Sequence, residues 1–139
     1  MLWDNLLVQH DSVESILNDK GLAQIGDNLV NFFYSLAKSV VLDSMSGEKV
    51  RDKVLAKAIR ATPVYHHIGR RTDAGRAADA YEAIIAWLWM KDKLDSKWVI
   101  EFLVKHLDFD RTTNRKKEAE ISSEAFRLLL EEISDRLPK

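Results

Sequence analysis

Apolar residues recur at three- and four-residue spacing along most of the chain, and no stretch alternates apolar and polar residues as a half-buried strand would. The pattern predicts six helices. Leu2, Leu6, Leu7, Val13, Ile16 and Leu17 outline the first, from Leu2 to Leu17, with Asp11 and Glu14 at capping-box spacing marking a break near His10. Leu22, Ile25, Leu29, Phe32, Phe33, Leu36 and Val40 define a second, from about Gly21 to Leu42. After a restart at Ser46-Gly47-Glu48, Val50, Val54, Leu55, Ala58 and Ile59 give a third that ends before Pro63. Thr72 or Asp73 caps a fourth that runs to about Lys93, and Asp95 or Ser96 caps a fifth carrying Trp98, Val99, Phe102, Leu103 and Leu107. A loop from Asp108 to Lys117 precedes the last, with Ser122 or Ser123 as its cap and Phe126, Leu129, Leu130 and Ile133 as its buried seam. The expected architecture is an all-α helical bundle.

Two of these helices break the amphipathic rule. From Ala77 to Met90 only Asp79 and Glu82 are not apolar, and a helix apolar on all sides belongs in the core. Residues at i and i+3 share a face, so these carboxylates stand one above the other. Like charges in a low-dielectric surround are costly unless they are protonated, paired with a base or bound to a cation. In the second helix Asp27 is the only charged residue between Gly21 and Ala37, and Ala23, Val30, Asn31 and Tyr34 are its helical neighbours. Three carboxylates on the two most buried helices suit hard oxygen coordination of Mg²⁺ or Mn²⁺, and hence metal-assisted hydrolysis at phosphorus. The competing reading is that Asp79 and Glu82 are solvated where their helix surfaces.

Composition narrows the classes. A length of 139 residues fits one domain over residues 1–139. With 5 Gly and 2 Pro, a turn-rich all-β fold is disfavoured. The absence of cysteine removes disulfide scaffolds, thiolate zinc sites and cysteine nucleophiles, and suits the cytoplasm. No 18-residue apolar stretch and no basic-then-apolar leader occurs, so neither a membrane span nor a secretory signal is expected.

Gly26-Asp27-Asn28-Leu29-Val30-Asn31-Phe32-Phe33 resembles the signature helix of the ribonuclease III endonuclease domain, usually Leu-Glu-Phe-Leu-Gly-Asp followed by apolar residues. Ala78-Asp79-Ala80-Tyr81-Glu82-Ala83-Ile84-Ile85-Ala86 resembles the second signature, Ala-Asp-Ala-Phe-Glu-Ala-Leu-Ile-Gly-Ala. Val50 to Ile59, with Leu55-Ala56, looks like the family's intervening helix, and Gly69-Arg70-Arg71 sits where a basic loop precedes the second motif. The likeness is strongest over residues 19–107, with 118–139 an additional C-terminal helix. It implies an all-α homodimer that uses Mg²⁺ or Mn²⁺ to hydrolyse phosphodiesters of double-stranded or structured RNA, with Asp27, Asp79 and Glu82 as catalytic and metal-binding residues. The family's metal-binding glutamate four residues before the first aspartate is Ala23 here, and the glutamate three residues earlier still is Lys20. The chain also has no room for the double-stranded-RNA-binding domain that usually follows, a layout like that of the short Mini-III members.

Charge is segregated along the chain. Residues 1–46 carry 2 basic and 6 acidic side chains, whereas residues 47–76 carry 8 and 3. Residues 111–117 add Arg111, Arg115, Lys116 and Lys117 with no acid, so the net charge of -1 does not exclude nucleic acid. Arg70, Arg71 and Arg76, just before the carboxylate helix, are placed for phosphate contacts, and a duplex would be read by shape. The tract from Arg111 to Lys117 reads as a solvated loop, His66 and His67 as surface residues, and Trp87 and Trp89 as core or dimer-interface residues. Two alternatives to the nuclease stand beside it. One is a non-cleaving RNA-binding or scaffold protein of the same fold, for which Ala23 argues. The other is an all-α nucleotide pyrophosphohydrolase, whose usual Glu-Glu-x-x-Glu run is absent.

Overall fold

The computed structural model describes residues 1–68 and 71–138. It is all-α, with α1 (Val13–Leu17), α2 (Lys20–Leu42), α3 (Asp52–Arg60), α4 (Ala74–Met90), α5 (Ser96–His106) and α6 (Arg115–Ile133). Three 3₁₀ turns, Asp4–Leu6, Pro63–Ile68 and Ser134–Arg136, complete the helical structure among the described residues. None of these helices is long and apolar enough to cross a membrane.

The helix apolar on all sides is the centre of the molecule. α4 packs against α1, α2 and α3, and Ala77, Tyr81, Ile84 and Leu88 are completely buried. α6 closes the opposite side of α3 and α5. Tyr81 donates its hydroxyl to the Phe126 carbonyl at 2.6 Å and meets the Phe126 ring edge-on, 5.7 Å between centroids. The buried hydroxyl is thereby satisfied, which avoids the penalty of an orphaned polar group.

Most helices begin on a side-chain cap, each contributing about 1 kcal/mol. Ser12 accepts from the Ser15 N–H, Asp19 from Leu22, Asp73 from Arg76, Asp95 from Trp98 and Asn114 from Lys117. At its other end α2 stops on Asp43, which adopts a left-handed conformation with φ 52°. There the Arg111 guanidinium donates to the Leu42 carbonyl at 3.0 Å, so part of the 111–117 tract serves to close a helix end rather than a solvated loop.

Three boundaries differ from those expected. The chain breaks around His10 as expected, but the part before the break forms only a 3₁₀ turn rather than α-helix: Leu2 is 99% exposed and Val8 78%, because no neighbour covers that face. The chain is instead pinned by Trp3, which stacks on Trp89 and donates Nε1 to the Met90 carbonyl at 2.7 Å. α6 begins seven or eight residues before the expected caps. Ser122 and Ser123 lie inside it and are buried, their hydroxyls bonded to the Tyr34 hydroxyl and the Val54 carbonyl. α4 ends at Met90 rather than near Lys93, because Asp92 turns left-handed (φ 58°) and the Lys93 N–H closes back on the Leu88 carbonyl.

Candidate active site

The crossing of α2 over α4 builds the site. A Cβ added at Gly26 would lie 1.8 Å from the Glu82 carbonyl oxygen, so only glycine lets the two backbones meet there. The next residue on α2 is Asp27, and the helical rise of α4 puts Asp79 one turn before Glu82. Asn31, one turn after Asp27, donates Nδ2 to its carboxylate at 3.2 Å and accepts the Val50 N–H on its Oδ1 at 2.8 Å. One amide thus orients the aspartate and fixes the segment entering α3. The three carboxylates share an open cleft of about 440 Å³ with Asp52, Lys20 and Lys49, floored in part by Ala23 and Gln24.

Burial dominates the electrostatics. Glu82 is 5% exposed, and among the described residues it forms no ion pair and has no hydrogen-bond donor outside the carboxylate cluster. Desolvation, then the hydrogen bond with Asp27 and its charge, push the Glu82 carboxyl up to about 9. Glu82 therefore holds a proton at neutral pH when no cation is bound. Its partner moves the other way: the hydrogen bond from Glu82 and Lys49, 3.6 Å away, hold Asp27 below the usual carboxylate range. The pair shares one proton, carried on Glu82. Asp79 stands at the cleft's rim and is raised by desolvation, then by the Asp52 charge.

Asp27, Asp79 and Glu82 thus line one cleft; Asp79 is exposed where α4 surfaces, whereas Glu82 is buried. Arg70 lies outside the described residues. Arg71 and Arg76 are exposed near the start of α4 but do not line the cleft, and Arg76 donates to Asn18 at 3.0 Å. The cations that do line it are Lys20 and Lys49. Among the described residues no three His, Asp or Glu side chains converge at metal-ligand spacing. The donor chemistry nonetheless fits a hard divalent ion: all the acids are oxygen donors, and the most buried has no compensating base, so a cation can replace its proton.

Sequence reasoning missed Asp52 and Lys49, because their approach to α2 and α4 is a tertiary fact with no local signature. Trp87 is core, and Trp89, partly buried, is held between Trp3 and the Ser96 hydroxyl. The apolar residues left open on α2 are Ile25, Phe32 and Val40, at 46%, 53% and 61% exposure. Beside the cleft, α3 and α6 form a second, basic hollow lined by Arg51, Lys53, Lys57, Arg115 and Lys116.

Comparison with curated proteins gives no match. A model of the family described as Ribonuclease III matches residues 20–139, which includes both helices that carry the acidic cleft. With that match extending over most of its length, the chain belongs to the ribonuclease III family.

Proposed function

We propose that this chain is a divalent-metal-dependent endoribonuclease that hydrolyses phosphodiesters of double-stranded RNA. The observation that carries the reading is the buried, uncompensated Glu82 carboxyl beside Asp27 and Asp79 in a family of ribonucleases. Asp27, Asp79 and Glu82 would hold Mg²⁺ or Mn²⁺. When bound, such an ion activates water and neutralises developing charge on a phosphoryl oxygen.

The chain's own residues supply the rest. Glu82 would have to release its proton to solvent to hold such an ion, which ties the site's competence to pH. Asn31 holds the Asp27 carboxylate in place. Lys20 and Lys49 at the cleft, with Arg71 and Arg76 near the start of α4, offer charge to backbone phosphates, the source of most sequence-independent affinity for nucleic acid. Arg70 belongs to the same proposal from the sequence alone. The open row of Ile25, Phe32 and Val40 on α2 supports pairing with a second copy, since large apolar residues at regular helical spacing seldom face water in a monomer.

A second reading is favoured by one observation: Ala23 puts a methyl group in the cleft where the family motif has a carboxylate. In that reading the protein binds duplex RNA without cutting it. Incubating the purified chain with labelled duplex RNA and with nucleoside triphosphates, each with Mg²⁺ or Mn²⁺, separates the possibilities. Metal-dependent duplex cutting supports the nuclease, retention of intact RNA supports the binding protein, and triphosphate hydrolysis without RNA cutting defeats both.

A further inference from the structure

The cleft is short of a carboxylate on one wall and has gained one on another. On α2, Ala23 lies one turn before Asp27 and is 6% exposed, so this helix brings a single acid to the site. Asp52, the first residue of α3, enters the same cleft from the far side. Its Oδ2 lies 3.7 Å from where a Cβ on Gly75 would stand, over the first turn of α4. Gly75 and Asp79 are four residues apart on α4 and share a face, so Asp52 lies on the side of α4 that carries Asp79, whose carboxyl its charge raises. Among the described residues no cation pairs with Asp52 within salt-bridge distance.

An aspartate in a helix's first turn ordinarily needs no further explanation, because it complements the helix dipole. That account leaves the placement of Asp52 unexplained. Asp52 is exposed to solvent, yet it stands at the mouth of the acidic cleft, close enough for its charge to act on both Asp79 and Glu82, and like charges gathered at one opening favour a cation there. The need for that charge is independently visible in Glu82, nineteen-twentieths buried, opening on the same cleft and without any donor from outside the cluster. Even with Glu82 protonated, the two lysines of the cleft do not balance Asp27, Asp52 and Asp79.

We infer that Asp52 completes, from α3, the carboxylate set of the divalent-cation site that Ala23 leaves short on α2. The ligand set is then Asp27, Asp52, Asp79 and Glu82, contributed by three helices, with side chains that must draw together around the ion, since among the described residues no three of them converge without it. This rests on the nuclease reading of the cleft, and the substitution of alanine at position 23 ceases to argue for a lost activity.

The test is Mn²⁺ binding to the metal-free chain, measured by calorimetry, for wild type, Asp52→Asn, Asp52→Ser, Asp79→Asn/Glu82→Gln, and the exposed-site control Asp11→Asn. Both Asp52 variants should bind roughly tenfold or more weakly, and the control should bind as wild type. The double variant Ala23→Glu/Asp52→Asn should recover most of the loss, because it returns the carboxylate to α2. Without metal, the Asp52 variants should melt no lower than wild type. Wild-type affinity in both Asp52 variants overturns the inference, as does a double variant that folds but recovers nothing. If Asp79→Asn/Glu82→Gln also binds like wild type, the cleft is not a cation site and the nuclease reading fails with it. If only the Asp52 variants are unaffected, that reading stands and the role of Asp52 falls.

Discussion

The protonated Glu82 makes a prediction about stability that is opposite to what replacing a buried residue usually brings. In the unfolded chain its carboxyl titrates at the ordinary 4.5, whereas in the folded, metal-free protein it titrates near 9. Between those values the unfolded chain has released a proton that the folded chain retains. Stability must then fall as pH rises, by up to about 1.4 kcal/mol per pH unit. From 4.5 to 7 the cost accumulates to about 3 kcal/mol. This is an upper bound, since the carboxyl opens onto a solvent-filled cleft that screens part of the effect. Glu82→Gln removes the titration while its amide still offers Asp27 a donor and nearly the same volume. In EDTA at pH 7 the variant should be more stable than wild type by about 1–3 kcal/mol, a rise in Tm of roughly 3–10 °C. The gain should vanish near pH 4.5 and widen toward pH 8.5. Urea unfolding followed by circular dichroism at these three pH values measures it. A variant no more stable than wild type at pH 7, or a difference that does not grow with pH, would refute the reasoning.

Other consequences follow from the same geometry. Because Glu82 must lose its proton, cation binding at pH 7 should release close to one proton, read from binding enthalpies in two buffers of different ionisation enthalpy, and affinity should rise as pH increases from 6 to 8. Gly26→Ala should destabilise by more than about 3 kcal/mol or prevent folding, since its methyl would meet the Glu82 carbonyl at 1.8 Å and the α2–α4 crossing cannot open without displacing the core; thermal melting of the variant tests this. Phe32→Asp, at a position 53% exposed, should convert a dimer to a monomer by light scattering while leaving helicity intact; an unchanged mass would remove α2 from the interface.

What could be read from the sequence, and what could not, divides along physical lines. The α4 segment announced itself because burial on every side demands apolar residues all round, and the same purity made Asp79 and Glu82 visible as exceptions. Gly26 and Asp27 were legible through motif, although the reason for the glycine, a backbone contact between helices, appears only in three dimensions. The N-terminal segment was misread because Leu2 and Leu6 keep helical spacing without a surface to pack against, and periodicity records spacing alone. The start of α6 was hidden for the reverse reason. Its first turn, Arg115-Lys116-Lys117-Glu118, is wholly charged and carries no apolar signal, with Glu118 turned inward to pair with Lys38, while buried serines further along imitate a cap. Asp52 and Lys49 reach the site across the fold from α3 and the segment before it, held by the Asn31 bridge to Val50, a pairing of residues 19 positions apart that no local pattern encodes. The arginines were chosen by nearness in sequence to α4, and the cleft instead draws its cations from the start of α2 and the approach to α3.

The central claim, that the acidic cleft cuts RNA, meets its most direct test in one comparison of cleavage rates. End-labelled duplex RNA is incubated with Mg²⁺ and either wild type or Asp79→Asn/Glu82→Gln, with circular dichroism establishing that both are folded. Wild type should cut the duplex in a metal-dependent manner, and the variant should be slower by at least roughly 100-fold. Equal rates in the two folded proteins, or an intact duplex with wild type at saturating metal, would contradict the account.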